Sequence, residues 1–153
     1  MSDQHIRQAT IKDASKITNL LAQLDYPMEE ELVIIKLSAM LKTNDSEIFV
    51  YEQESVVTGC LSMHFIPQLG LQGDVAIITY LAIDLSSRSK GIGTLLENMA
   101  TQLAINKGCD RIQLHCNLRR ERAHQFYEKQ GYSESRKYFT KSLKQVNDCD
   151  TIS

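Results

Sequence analysis

The chain is poor in the features that would place it outside the ordinary globular class. It has no tryptophan, two prolines and seven glycines in 153 residues. No Pro- or Ser-rich linker, internal repeat or low-complexity tract interrupts it. Charge of one sign is also lacking: 17 Lys and Arg face 19 Asp and Glu, a formal net charge of −2. So small a balance gives no global field to draw nucleic acid or an anionic membrane, and neither is an expected partner. Long apolar runs are absent. The longest, Val75 to Ile83, is interrupted by Thr79 and Tyr80, and falls well short of the roughly 20 residues of a transmembrane helix. The N-terminus, Met1-Ser2-Asp3-Gln4-His5, lacks the basic and then apolar layout of a signal peptide. A cytoplasmic location is therefore expected. The four cysteines, Cys60, Cys109, Cys116 and Cys149, include no Cys-x-x-Cys pair. In a reducing compartment they are expected to be free, mostly buried thiols, with no disulfide and no metal site.

What is present is enough apolar material for a core. Hydrophobic residues make up 42%, which argues against disorder, and the length suits one domain. His5 to Thr10 reads as a first strand. Asp13 is placed to cap a helix with Ala14, Ile17, Leu20, Leu21 and Leu24 on one face. Tyr26-Pro27 stops it, since proline disfavours helix in the residue before it. A second helix is predicted from about Glu29 to Leu41, with Leu32, Ile35 or Val33, Leu37 and Met40 recurring. Glu47 to Glu52 and Ser55 to Ile66 read as a hairpin turning at Gln53-Glu54. Gly73 to Asp84 is so continuously apolar that a central strand covered on both faces is expected.

The period then changes to helical, with Ile92, Leu95, Leu96, Met99, Ala100 and Leu103 on one face and Gly108 at the end. Arg111 to Cys116 reads as a strand. Ala123, Phe126, Tyr127 and Gln130 line a further helix closed by Gly131, and Tyr132 to Leu143 reads as a last strand pair. The strand–helix–strand order from Gly73 to Cys116 implies a parallel crossover, while the hairpins imply antiparallel pairs. The expected fold is α+β (mixed α/β): a mixed, mostly antiparallel twisted sheet with helices on both faces and a central parallel strand pair.

The most informative stretch is Arg88-Ser89-Lys90-Gly91-Ile92-Gly93, between the apolar strand and the helix. A helix start carries unpaired N–H groups and a partial positive charge, which suits an oxyanion. Gly91 and Gly93 lack β-carbons, so phosphates can approach the backbone, and Arg88 and Lys90 can add charged hydrogen bonds. The loop is neither a Walker A sequence nor the dinucleotide Gly-x-Gly-x-x-Gly, since position 96 is Leu. Glycines of this kind also serve plain β–α turns.

Arg-x-x-Gly-x-Gly after a strand, opening a helix, resembles the acyl-CoA loop of the GNAT family of N-acetyltransferases. A second segment, Ala123-His124-Gln125-Phe126-Tyr127-Glu128-Lys129-Gln130-Gly131-Tyr132, resembles that family's Ala-x-x-Phe-Tyr-x-x-x-Gly-Phe. The order of elements matches along almost the whole chain, as a single domain over residues 1–145 with a tail over 146–153. Within the family, Asn117, Arg119-Arg120, Ala123-His124, Phe126-Tyr127, Phe139-Thr140-Lys141 and His64 are similar to the branch that includes aminoalkylphosphonate N-acetyltransferases.

The resemblance implies acetyl-CoA as cosubstrate and transfer of its acetyl group to a small-molecule amine in a ternary complex. It also implies a homodimer. Alternatives are a non-catalytic acyl-CoA-binding module and an acetyltransferase acting on protein N-termini or lysines. The backbone of Leu81, Ala82 and Ile83 would pair with the pantetheine arm as an added strand does. The N–H groups of Arg88 to Gly93 would hold the diphosphate, and Asn117 would meet the pantetheine or cap the last helix. Where the usual pattern has Asn three residues before the Ala, this chain has Arg120.

Tyr127 is the candidate general acid, because a phenol with a pKa near 10 keeps its proton at neutral pH and can pass it to a departing thiolate. Many members place a carboxylate on the central strand as the base. Here the matching positions are Thr79 and Tyr80, so His64 is a candidate base, and a chain of waters, as in other family members, is the alternative. Tyr80 and Tyr26 are candidates for the acceptor pocket, which Leu24 to Glu31 and the loop Pro67 to Gly73 would shape. Asp25, Glu29, Glu30 and Glu31 suit a cationic amine, whereas Arg119, Arg120 and Arg122 suit an anionic group.

Overall fold

The computed structural model describes residues 3–114, 121–134 and 139–144. Its contacts group into two units, Met1–Leu114 and His115–Ser153. The first unit contains strands β1 (Ile6–Gln8), β2 (Ser46–Gln53), β3 (Val56–Ile66), β4 (Val75–Ile83) and β5 (Arg111–Leu114). Its helices are α1 (Ala14–Gln23), α2 (Glu30–Leu41) and α3 (Ile92–Asn106). The strands form one sheet in sequence order, antiparallel throughout except for the parallel pair β4–β5. The mixed sheet expected from the sequence is thus present. Among the described residues no helix is long and apolar enough to cross a membrane.

Each sheet face has its own core. On one face α1 and α2 bury Ile17, Leu20, Leu24, Val33 and Leu37 against Ile48, Val50, Cys60 and Ala82. On the other, α3 lays Ile92, Leu96, Ala100 and Ala104 on Leu61, Met63, Phe65, Ala76 and Ile78. The stripe at every fourth residue is the face of a single helix, and each large side chain buried there contributes about 1.5–3 kcal/mol. Helix α3 comes close at Gly59. A β-carbon there would stand 3.0 Å from the Ile83 side chain and 3.1 Å from that of Ile92.

Several local expectations are corrected. Asp13 does not cap α1 through its side chain. Its carboxylate accepts the Thr10 N–H (2.8 Å) and both terminal nitrogens of Arg7 (2.8 and 2.9 Å), and Arg7 also bonds Glu52. A planar guanidinium offers two parallel donors, which outcompetes a single capping bond. On α2, Val33 and Leu37 are buried while Leu32 and Ile35 are exposed. The hairpin turns at Glu54 and Ser55, both left-handed, one residue later than predicted. Of the last strand pair, residues 132–134 and 139–144 form no strand, and the remainder lies outside the described residues.

Candidate active site

Strand β4 carries an irregularity that sets the site. Ser62 pairs with Tyr80 but Met63 pairs with Ile78, so Thr79 is an extra residue bulged out of the ladder. Its hydroxyl donates to the Ser62 carbonyl, 3.1 Å away, and lies equally near the Ser62 hydroxyl. A bulge bends the strand and re-aims the residues after it. The pairs Cys60–Ala82, Ser62–Tyr80 and His64–Ile77 share the face of α1 and α2, while Leu61–Leu81 and Met63–Ile78 face α3. Parallel pairing with β5 ends at Ile78–Leu114 among the described residues. Leu81, Ala82 and Ile83 lie beyond it, held on their other edge by β3. Their side chains pack into the two cores, which leaves binding there to the backbone.

The chain leaves β4 through a tight turn at Leu85–Ser87. Asp84 accepts the Ser86 N–H and hydroxyl and the Gln23 side-chain N–H, while the Leu85 N–H donates to Oε1 of the Gln23 side chain. The hydrogen bond from Gln23, above all, holds the Asp84 carboxyl below the usual carboxylate range. The guanidinium of Arg88 turns back to donate to the Ile83 carbonyl at 3.1 Å. Ser89 and Gly91 are both left-handed, with φ of 66° and 87°. Gly91 caps α3, and the first helical bond runs from the Leu95 N–H to the Gly91 carbonyl. The N–H groups of Ile92, Gly93 and Thr94 therefore precede the helical ladder. Among the described residues, its chain neighbours and the α3 backbone aside, no atom lies within 4 Å of where a Gly91 β-carbon would stand. Arg88, Ser89, Lys90 and Gly91 are exposed, and Ile92 anchors the turn in the core. This is a cradle suited to an anionic diphosphate.

Tyr26 is delivered by the end of α1. Asp25 is left-handed at φ 69°, the Tyr26 N–H returns to the Leu21 carbonyl and the Asp25 N–H to that of Ala22. That pattern is a Schellman closure with Asp in the place glycine usually takes. It sets the Tyr26 ring edge-on to Tyr80, with centroids 5.2 Å apart and planes at 82°. The two residues predicted for an acceptor pocket are thus in contact. Burial, with a contribution from Tyr26, pushes the Tyr80 phenol up, so it does not act as a base at neutral pH. His64 is half-buried, and its Nδ1 lies 3.0 Å from the Ser46 hydroxyl. Burial lowers its pKa, so the imidazole is neutral at pH 7. Sequence spacing gave no signal for Ser46, whose pairing with His64 requires the β2–β3 register.

The second unit contains α4 (Glu121–Lys129). It ends in a Schellman closure at left-handed Gly131, with the Tyr132 N–H returning to the Tyr127 carbonyl and the Gly131 N–H to that of Glu128. The closure lays Tyr132 against Tyr127 (centroids 5.8 Å apart), and Phe126 also meets Tyr127 edge-on at 5.3 Å. The Tyr127 side chain is partly buried. Asn117 lies outside the described residues.

A model of the acetyltransferase (GNAT) family matches residues 12–132. Among curated relatives, an aminoalkylphosphonate N-acetyltransferase of Salmonella typhimurium is 26% identical over 139 residues, 90% of each chain. Among solved structures, one described as a transcriptional regulator from Bacillus halodurans C-125 superposes with a TM-score of 0.83 at 26% identity. That match covers 90% of this chain and 98% of the other. An aminoglycoside N-acetyltransferase solved in complex with CoA has the same fold, with a TM-score of 0.79 at 17% identity over 90% of this chain and 93% of its own.

Proposed function

The chain belongs to the GNAT acetyltransferase family and is an acetyl-CoA-dependent acetyltransferase; from that premise we propose that it acetylates a primary amine of a small molecule, with both substrates bound together. The observation that carries this reading is the exposed, left-handed entry to α3 at Gly91, shortly after the end of β4, which among the described residues extends past its last pair with β5. Diphosphate on the N–H groups of Arg88 to Gly93 and pantetheine along Leu81, Ala82 and Ile83 would bind as anion and as added strand, respectively. Asn117 is assigned to the pantetheine. Acetyl-CoA supplies an acetyl carbonyl activated as a thioester.

The chain's own groups handle the protons. A primary alkylammonium has a pKa near that of lysine, about 10.4, and must lose a proton before its lone pair can attack. His64 takes that proton. Tyr127 gives its phenolic proton to the departing sulfur as the C–S bond breaks and the C–N bond forms, and recovers one from the new amide nitrogen. Tyr26 and Tyr80 form the aromatic wall against which the acceptor's carbon chain packs. The names of the matched relatives support an amine acceptor, an aminoalkylphosphonate in one and an aminoglycoside in the other.

The test is release of CoA thiol from acetyl-CoA with a panel of primary amines: aminophosphonates, polyamines, aminoglycosides and amino acids. Turnover with at least one small amine is expected. Turnover only with peptide N-termini or lysines would refute the small-molecule assignment.

A further inference from the structure

Ser46 and His64 are direct partners across β2 and β3, and the 3.0 Å contact joins the serine hydroxyl to Nδ1. Nε2 makes no hydrogen bond among the described residues. Of an imidazole's two nitrogens, the one left bare is decided by what the other bonds. We propose that Ser46 is a positioning residue for His64: its hydroxyl accepts the Nδ1–H, so the ring presents Nε2 as its proton-accepting nitrogen. The inference rests on the reading of His64 as the base.

Two features favour the hydroxyl as acceptor. An Nδ1–H···Oγ bond survives when the ring takes a second proton, because both nitrogens donate in the imidazolium. A hydroxyl donating to Nδ1 would place the only ring proton on Nε2 and would have to rotate on each protonation. The frame is also rigid at this point, since the Phe65 N–H bonds the Asp45 carbonyl at 2.8 Å beside the pair. Among the described residues, those paired with His64 or next to it on the sheet face carry no formal charge. On the same sheet face, His64 is flanked by Ile77 on β4, by Ser62 and Ile66 on β3, and by Ile48 beyond Ser46 on β2. The titratable or charged groups that the register places on that face are Tyr80, Cys60, Arg111 opposite Val75, and Arg7 opposite Val50 with its partners Asp13 and Glu52; burial pushes the Cys60 thiol up to about 12. From α1 and α2 the core receives Ile17, Leu20, Val33 and Leu37, and Tyr26, past the end of α1, meets Tyr80.

The experiment compares wild type, Ser46→Ala, Ser46→Thr and His64→Gln by ¹⁵N NMR of the His64 ring and by amine turnover. Wild type is expected to show a protonated Nδ1 and a bare Nε2. Ser46→Ala is expected to lose that preference and drop kcat about 3- to 10-fold, with KM for acetyl-CoA unchanged, and Ser46→Thr to restore both. A protonated Nε2 in the wild type, or an unchanged tautomer in Ser46→Ala, overturns the assignment of Ser46 alone. Full turnover in His64→Gln overturns the base reading itself, and the role of Ser46 with it.

Discussion

Gly73 lies just ahead of β4, and its N–H donates to the Asp110 carboxylate at 3.0 Å, just ahead of β5. The Asp110 N–H returns to the Asp74 carbonyl at 2.9 Å. These two bonds clip together the entrances of the parallel strands. A β-carbon on Gly73 would sit 2.3 Å from the Gly108 carbonyl oxygen and 2.8 Å from the Asp110 side chain. The first is backbone, so alanine can be fitted only by moving the turn after α3. Crowding of this kind costs about 1–3 kcal/mol, and the reduced freedom of the unfolded chain returns about 0.4–1 kcal/mol. With backbone as the obstacle, a net loss of about 2 kcal/mol is expected for Gly73→Ala. In a chain of this size that lowers Tm by about 4–8 °C. Gly70, in the same loop, has no atom of the described residues, its chain neighbours aside, within 4 Å of an added β-carbon. Gly70→Ala should therefore stay within about 0.5 kcal/mol of wild type. Thermal and urea unfolding of both variants read the difference directly. Equal stability of the two would refute the reasoning, because the only distinction drawn between them is what the methyl group meets.

At the diphosphate cradle, Gly91→Val should weaken CoA binding, because its left-handed φ is strained for valine by about 1–3 kcal/mol. Gly91→Asn tolerates that φ and should fold normally, so calorimetric CoA titration of both separates strain from ligand clash. Tyr127→Phe should lower turnover by about 10- to 10⁴-fold with little change in acetyl-CoA affinity, and unchanged turnover would remove Tyr127 from the chemistry. The Arg7 guanidinium holds the Asp13 carboxyl below its ordinary value. A depressed carboxylate stabilises the fold above its unfolded pKa of about 3.9 and loses that contribution as pH falls through the folded value. Melting temperature should accordingly drop more steeply in acid for wild type than for Asp13→Asn, and parallel curves would count against the ion pair.

The sequence conveyed the strand–loop–helix that frames the cradle, because a change of hydrophobic period and two glycines mark it locally. The closures at Gly108 and Gly131 were legible for the same reason. The bulge at Thr79 was not, since a run apolar on both faces carries no alternation for an extra residue to disturb. Helix α2 has apolar residues on most of its circumference, so periodicity could not choose Val33 and Leu37 over Leu32 and Ile35. The Arg7–Asp13 pair and the Ser46–His64 pair depend on strand register, and the crowding at Gly73 depends on a turn 35 residues away in sequence. None of these leaves a local trace.

The Gln23 amide has a wider consequence. It belongs to the last residue of α1, the helix whose end carries Tyr26, and it fastens the turn that leads into Arg88. One side chain thus ties the helix that leads to Tyr26 to the turn that leads into the α3 entry, bonding residues 61 and 62 positions further along the sequence.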